Sequence, residues 1–91
     1  MSQSAIGEIL RRKRVEVATG YSRSTIYLRI TQGLCTKPIS LGVRAVGWPS
    51  GEIAAINAAR IAGQSDDDIR ALVTRLEAQR GTAAQANEGA K

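Results

Sequence analysis

The sequence predicts a mainly α-helical domain that carries one small β-hairpin and ends in an amphipathic helix. Three observations predict this fold class: two short helical segments separated by a glycine turn, a glycine-punctuated β-branched stretch at 38–48, and apolar residues at i, i+3, i+4 and i+7 between 69 and 76. The chain has 91 residues, which is enough for one small domain.

The first two helices are predicted from their end signals. A short helix over residues 13–19 ends at Gly20, because glycine tolerates the left-handed conformation that a helix stop requires. Ser22 is a favourable N-cap for a second helix, which runs to about Gln32 and stops at Gly33. Two helices joined by a short turn that contains glycine are typical of the helix-turn-helix motif.

The hydrophobic pattern changes after this helix pair. Residues 38–48 alternate and are rich in β-branched side chains, which predicts a hairpin with its turn near Gly42–Arg44. Pro38 suits the start of a strand, and Pro49 suits the first turn of a third helix that ends before Gly63.

A fourth helix is predicted over residues 66–79, opened by a capping box at Ser65 and three aspartates. We expect its apolar face either to cap the domain or, as slightly favoured here, to contact a second copy in a homodimer, through Ile69, Leu72, Val73 and Leu76. The predicted organisation is a loose lead-in at 1–9, a helix-turn-helix and hairpin domain at 10–62, the amphipathic helix at 63–80, and a disordered tail at 81–91.

Composition excludes several functions. The absence of histidine and the presence of a single cysteine exclude a Cys/His zinc site and a Ser–His–Asp or Cys–His nucleophile. We therefore expect no enzyme activity, no metal and no cofactor. Cys35 fits a reducing cytoplasm, and no apolar run reaches the ~18 residues of a membrane helix, so we expect neither anchor nor signal peptide.

The positive charge is concentrated in the first half of the chain. Residues 1–48 hold eight basic and two acidic side chains, a net charge of +6, whereas residues 49–91 hold five basic and six acidic ones, a net charge of −1. A basic face on a small domain favours a polyanionic partner, because each neutralised phosphate releases condensed counterions. The charge asymmetry between the two halves therefore favours nucleic acid as the partner, with a merely solvated basic surface as the alternative.

A helical wheel of the second helix selects the candidate base-reading residues. With Ile26 and Ile30 on the core side, the outward positions near the helix start are Arg23, Ser24 and Tyr27. Arg23 is the best candidate for a bidentate contact to guanine. The alternative for Tyr27 is a core aromatic whose hydroxyl reaches solvent.

The candidate phosphate contacts form a second group. They are the basic cluster at the start of the first helix, the hydroxyl at the start of the second, and two basic residues of the hairpin region, namely Arg11, Arg12, Lys13, Arg14, Ser22, Lys37 and Arg44. For Ser22 the simpler interpretation is an N-cap, and for Lys37 a solvated charge is as good an interpretation. We expect Trp48 in the core and Cys35 as a small buried hydrophobe.

These residues carry a family resemblance. Residues 20–27 (GYSRSTIY), Gly33, residues 37–39 (KPI), Leu41-Gly42 and residues 44–49 (RAVGWP) resemble the AlpA family of phage and prophage transcriptional regulators. The resemblance implies a winged helix-turn-helix related to MerR-type and excisionase domains. It further implies a sequence-specific binder of double-stranded DNA at the bacterial nucleoid, with the second helix (22–32) in the major groove and the hairpin 38–48 as the wing.

One departure from the family pattern concerns the second helix. Family members usually read Ile-Tyr-Arg-Leu-Ile where this chain reads Ile-Tyr-Leu-Arg-Ile at 26–30. Leu28 is then expected to point outward and to contact either a thymine methyl or a partner protein. Arg29 either extends to a phosphate or an acidic partner, or the helix is slightly rotated.

Three functions remain at this point. The first is a prophage or mobile-element transcriptional regulator without catalysis. The second is an excisionase-like factor that bends DNA. The third, of a different class, is a protein-interaction adaptor that binds through the wing and Leu28.

Overall fold

The chain folds as helices packed against one face of a small antiparallel sheet. The computed structural model describes residues 8–89, with side-chain surroundings for residues 8–81. Its elements, in chain order, are β1 (Ile9–Leu10), α1 (Arg12–Thr19), α2 (Arg23–Thr31), β2 (Ile39–Gly42), β3 (Ala45–Pro49), α3 (Ser50–Ile61) and α4 (Asp66–Gly89). The predicted fold class, mainly α-helical with a hairpin wing, is confirmed.

The turn between α1 and α2 forms as its sequence signals predict. Gly20 ends α1 with a φ of 78°, and its N–H donates to the carbonyl of Glu16. The Ser22 hydroxyl then accepts a hydrogen bond from the Thr25 N–H, which makes Ser22 the N-cap of α2. Both signals act within a few residues, so the local sequence is sufficient to set them.

The sheet has three strands in the order β1-β3-β2. The predicted hairpin pairs Ile39 with Gly47 and Ser40 with Val46, and an irregularity follows between Ser40 and Gly42. The additional strand β1 pairs with the other edge of β3, opposite Trp48 and Pro49. Glu8 and Ile9 are thus ordered, and the predicted loose lead-in over 1–9 is wrong for them; residues 1–7 lie outside the described residues.

The core lies between the helices and the inner face of the sheet. The Trp48 side chain is fully buried, and its indole N–H donates to the Thr36 carbonyl at 2.9 Å. Cys35 is also buried, as predicted. The buried apolar residues come from every helix, and they are Val15, Ile26, Leu34, Cys35, Trp48, Ile53, Ile56, Ala59, Ile69 and Val73.

The apolar face of α4 packs against this same core. Ile69 and Val73 are 0% and 5% exposed, and Leu72 and Leu76 are partly buried beside them. The predicted homodimer contact through these four residues is therefore wrong for Ile69 and Val73, because their side chains are already covered by the chain itself. Of the two roles predicted for α4, it therefore takes the first: its apolar face caps the domain.

The end of α4 differs from the prediction. The sequence predicts a helix to residue 79 and a disordered tail over 81–91, but the helical backbone continues to Gly89. The prediction is wrong for residues 81–89, and residues 90–91 lie outside the described residues. Extending a helix that is already packed costs little when the added residues include three alanines and a glutamine, which are strong helix formers.

Candidate nucleic-acid interface

Strand β1 determines where the basic cluster lies. Because β1 runs antiparallel to β3, its end points toward the start of β3 and hence toward the tip of the hairpin. Arg11 follows directly, and its Nε donates to the Val46 carbonyl at 3.1 Å. The chain then turns into α1, so the first turn of α1 also starts beside the hairpin.

The result is a basic pocket with a volume of about 470 Å³, which we call the basic concavity. It brings together residues that are more than 30 positions apart in sequence, and it is lined by Arg11, Arg12, Lys13, Arg44 and Val46. The sequence predicts each of these four cationic residues as a phosphate contact. Their grouping at one site depends on β1, which the sequence analysis missed.

Two members of the basic concavity have their own constraints. Arg12 forms an ion pair with Glu16 one turn along α1, so part of its charge is neutralised within the chain. Arg44 has a φ of 60°, the left-handed conformation that side chains other than glycine adopt infrequently. Such a conformation costs about 1–3 kcal/mol. Arg44 therefore adopts a backbone conformation that an arginine disfavours.

Arg14 and Lys37 are not part of the basic concavity. Arg14 is exposed on α1. Lys37 stands at the opposite end of β2 from the hairpin tip, and its backbone N–H donates to the Glu77 carboxylate on α4 at 2.8 Å. From Lys37 to Arg44 the chain spans roughly 20 Å if extended, at ~3.3 Å per residue. Lys37 is therefore separated from the hairpin tip with which the sequence analysis grouped it.

The outward face of α2 forms the second part of the candidate interface. Arg23, Ser24 and Leu28 are exposed, and Ile26 is fully buried, in agreement with the helical wheel. Tyr27 is 37% exposed, and its ring meets the buried Trp48 ring edge-on at a centroid distance of 6.4 Å. Tyr27 therefore combines the two roles weighed for it, since one part packs on the core and another part reaches solvent.

The start of α2 has a network of hydroxyl groups. The Ser22 Oγ accepts from the Thr25 N–H at 3.3 Å and donates to Thr25 Oγ1 at 3.0 Å, and it lies 3.3 Å from Ser24 Oγ. Ser22 is thus an N-cap, the simpler of the two interpretations given for it above. The N–H groups of Arg23 and Ser24 occupy the first two helical positions, where no preceding helical carbonyl is available to them. They point out of the helix start.

Arg29 has a different environment from those considered for it. Its guanidinium lies over the Tyr21 ring, 5.5 Å from the centroid, and donates to the Gln32 side-chain oxygen at 3.1 Å. A half-buried arginine on an aromatic face is stabilised by the ring quadrupole. Arg29 therefore packs α2 against the preceding turn, and Leu28 keeps the outward position, 52% exposed.

Comparison with known proteins identifies the family. The family described as prophage CP4-57 regulatory protein (AlpA) matches residues 8–60, which is more than half of the chain. The chain belongs to the AlpA family. Regulators of the AlpA family bind DNA, and the matched segment runs from β1 into the last turn of α3, so it contains the helix pair and the hairpin. No curated protein and no solved structure shows significant similarity to the chain.

Two further findings concern chemistry that the AlpA match does not address. Among the described residues, no group of three or more acidic or cysteine side chains is arranged to hold a metal ion. The aspartates at the start of α4 instead accompany a cap, in which the Asp68 N–H donates to Ser65 Oγ at 3.1 Å. No helix within the described part of the chain is both long and apolar enough to span a bilayer.

Proposed function

We propose that this AlpA family member is a sequence-specific DNA-binding transcriptional regulator of a prophage or mobile element. In this proposal α2 lies in the major groove, the hairpin acts as a wing, and the basic concavity binds the phosphate backbone beside it. The observation that carries the proposal is the convergence of Arg11, Arg12, Lys13 and Arg44 on one surface. Four cations in one concavity make a site for a polyanion rather than a uniformly solvated surface.

The roles within the interface follow from exposure and chemistry. Arg23, Ser24 and Tyr27 face outward near the start of α2, which is the part of a recognition helix that contacts base edges. Arg23 binds a guanine in a bidentate manner, a contact worth about 1–3 kcal/mol of discrimination. The first-turn N–H groups bind a phosphate, which anchors α2 in register. Leu28 contacts a thymine methyl.

Selection of binding sites from a random oligonucleotide pool tests this function directly. The selected duplex is then titrated at several salt concentrations, alongside an unrelated duplex, with fluorescence anisotropy as the readout. We expect the affinity to fall with salt at a log–log slope of about −0.9 for each phosphate contacted. No enrichment of any sequence, together with binding that does not depend on salt, would contradict the proposal and favour the protein-interaction adaptor.

Two substitutions separate base reading from backbone binding. Arg23→Ala is expected to reduce affinity for the selected duplex while leaving the unrelated duplex almost unaffected. Lys13→Ala is expected to weaken both duplexes alike and to reduce the salt slope by about one phosphate. Arg75→Ala, on the exposed side of α4, removes the same charge outside the interface and serves as the control. Equal losses for Arg23→Ala and Lys13→Ala would mean that α2 is not the reading helix.

A further inference from the structure

Side chains of α4 hold the segment that connects α2 to the hairpin. Arg70 Nε donates to the carbonyl of Gln32, the C-cap residue of α2, at 2.8 Å. About two turns further along α4, Glu77 accepts from the Lys37 N–H, and Arg80 donates to the Lys37 carbonyl at 2.6 Å. Both backbone polar groups of Lys37 are thus bound by α4, two residues before β2 begins. The segment is fixed at its two ends.

Arg80 also reaches the other end of the hairpin. Its Nε and one terminal nitrogen donate to the two carboxylate oxygens of Glu52, at 2.8 and 2.7 Å. Lys37 stands two residues before β2, and Glu52 stands three residues after the end of β3. One guanidinium therefore joins the two ends of the hairpin across its base, at the end farthest from Arg44.

The Glu52–Arg80 pair is well shielded from water. The side chains are 8% and 26% exposed, and the hydrogen bonds to Glu52 raise the pKa of Arg80 above its ordinary value. A bidentate pair of this kind fixes orientation as well as distance. Separating the two side chains would leave the buried Glu52 carboxylate without its partner, which is strongly destabilising. The Arg80 guanidinium is therefore held at Glu52.

Within the two paired strands themselves, little fixes the direction of the hairpin. Its strands have only four and five residues, and their register shifts between Ser40 and Gly42. A two-stranded ribbon of this length is marginal by itself and twists readily. Its outer half, with Arg44, is exposed. Its orientation is therefore set at the base, where β1 pairs with β3 and where α4 binds Lys37.

We propose that Arg80 is a positioning residue for DNA recognition, which locks the base of the wing so that Arg44 and the reading face of α2 meet one duplex together. This inference rests on the proposed function. It assigns a role in recognition to α4, an element outside the residues that match the AlpA family. Arg80 acts through Lys37 and Glu52 and not through contact with DNA.

The decisive variant is the double substitution Glu52→Met with Arg80→Met. It removes both members of the buried pair, so no unpaired charge is left in the interior and the net charge stays at +5. It nevertheless removes the hydrogen bond to the Lys37 carbonyl. Arg80→Gln alone leaves Glu52 unpaired and is expected to unfold more easily. Arg75→Gln removes one exposed charge from the same helix and is the matched control.

Two measurements are made on the full chain. The first is affinity for the selected duplex and for an unrelated duplex. The second, without DNA, is amide hydrogen exchange across the hairpin, at Ile39 and Gly47. We expect the double variant to keep its melting temperature, to lose about tenfold in affinity for the selected duplex only, and to exchange hairpin amides about tenfold faster, as expected for the loss of one charge-assisted hydrogen bond.

The outcomes separate the two proposals. A double variant that is stable, binds the selected duplex like the parent and exchanges at the parent's rate would overturn the positioning role. If the parent chain selects no DNA sequence, the proposed function fails, while the exchange rates still test whether Arg80 fixes the wing. Arg80→Lys keeps a charge beside Glu52 but lacks the planar fork that binds two groups at once, so a folded Arg80→Lys protein with intact selected-duplex affinity would also refute the proposal.

Discussion

Substitution of Gly47 by alanine tests how β1 is held against the hairpin. Gly47 lies in β3 between the two edge strands, and a Cβ added there would lie 2.5 Å from Ile9 Cγ2, 3.0 Å from Leu41 Cδ1 and 3.1 Å from the Leu10 carbonyl oxygen. Carbon atoms in favourable contact lie ~3.5–4.0 Å apart. The branched Ile9 side chain and the Leu10 backbone have little freedom to move aside, so β1 must shift away from β3.

The expected cost follows from these distances. Overpacking of this kind costs about 1–3 kcal/mol, and the lower entropy of alanine in the unfolded chain returns about 0.4–1 kcal/mol. We therefore expect the free energy of unfolding to fall by about 1–2 kcal/mol. For a chain of this size the melting temperature then falls by about 5–15 °C. Because β1 carries Arg11 to the basic concavity, affinity for DNA should fall as well.

Thermal unfolding followed by circular dichroism measures this effect. Gly51→Ala is the matched control, since an added Cβ there meets nothing within 4 Å and alanine favours the helix by up to about 1 kcal/mol. Adding Ile9→Ala to Gly47→Ala removes the closest clash, so the double variant should be more stable than the sum of the two single effects. A Gly47→Ala protein that melts with the parent would refute the reasoning, because β1 would then not be held where the structure has it.

Three further predictions concern the hairpin tip, the start of α2 and the buried thiol. Arg44→Gly replaces an arginine in the left-handed backbone region by glycine, which adopts that conformation freely. The free energy of unfolding should therefore stay constant or rise by up to about 1 kcal/mol while DNA affinity falls. A fall in both the free energy of unfolding, measured by denaturant titration, and the DNA affinity, measured by anisotropy, would contradict this. Ser22→Ala should destabilise α2 by about 1 kcal/mol, because it removes the N-cap. Ser22→Asp should keep the cap but weaken DNA binding, because its carboxylate repels phosphate. Equal binding by Ser22→Asp and the parent would argue against DNA at this helix start. Burial raises the pKa of the Cys35 thiol from 9.0 to about 11, so the folded chain favours the neutral thiol. The contribution of this thiol to the free energy of unfolding is therefore lost as the pH rises from about 9 to about 11. In urea titrations across this range, the free energy of unfolding should fall more steeply with pH for the parent than for Cys35→Ala, and identical slopes would exclude the effect.

The features that the sequence predicts well are those determined by neighbouring residues. Gly20 and Ser22 end one helix and begin the next through contacts within four positions, and the turn of the hairpin is set by residues 42–44. The outward face of α2 follows from helical periodicity alone, which explains why Arg23 and Ser24 are exposed as expected. Their contacts to DNA bases stay predictions.

The features that the sequence does not predict depend on distant pairing. A two-residue strand such as β1 has no periodicity, and it exists only because β3, almost 40 positions later, offers an edge. The same holds for Arg80, whose partners lie 28 and 43 positions away. Lys37 could not be separated from Arg44 by composition, because both are basic residues of one hairpin region, and only the contact of Lys37 with α4 distinguishes them.

The aromatic pair beneath α2 gives this protein an intrinsic optical probe. Trp48 is the single tryptophan of the chain, and it is held rigidly by its indole hydrogen bond while Tyr27 meets its ring from the exposed side. A nucleobase that moves Tyr27 would change the emission of an indole that solvent does not reach. Unlabelled protein can therefore be titrated with unlabelled duplex, and a change in emission intensity would report DNA binding near Trp48.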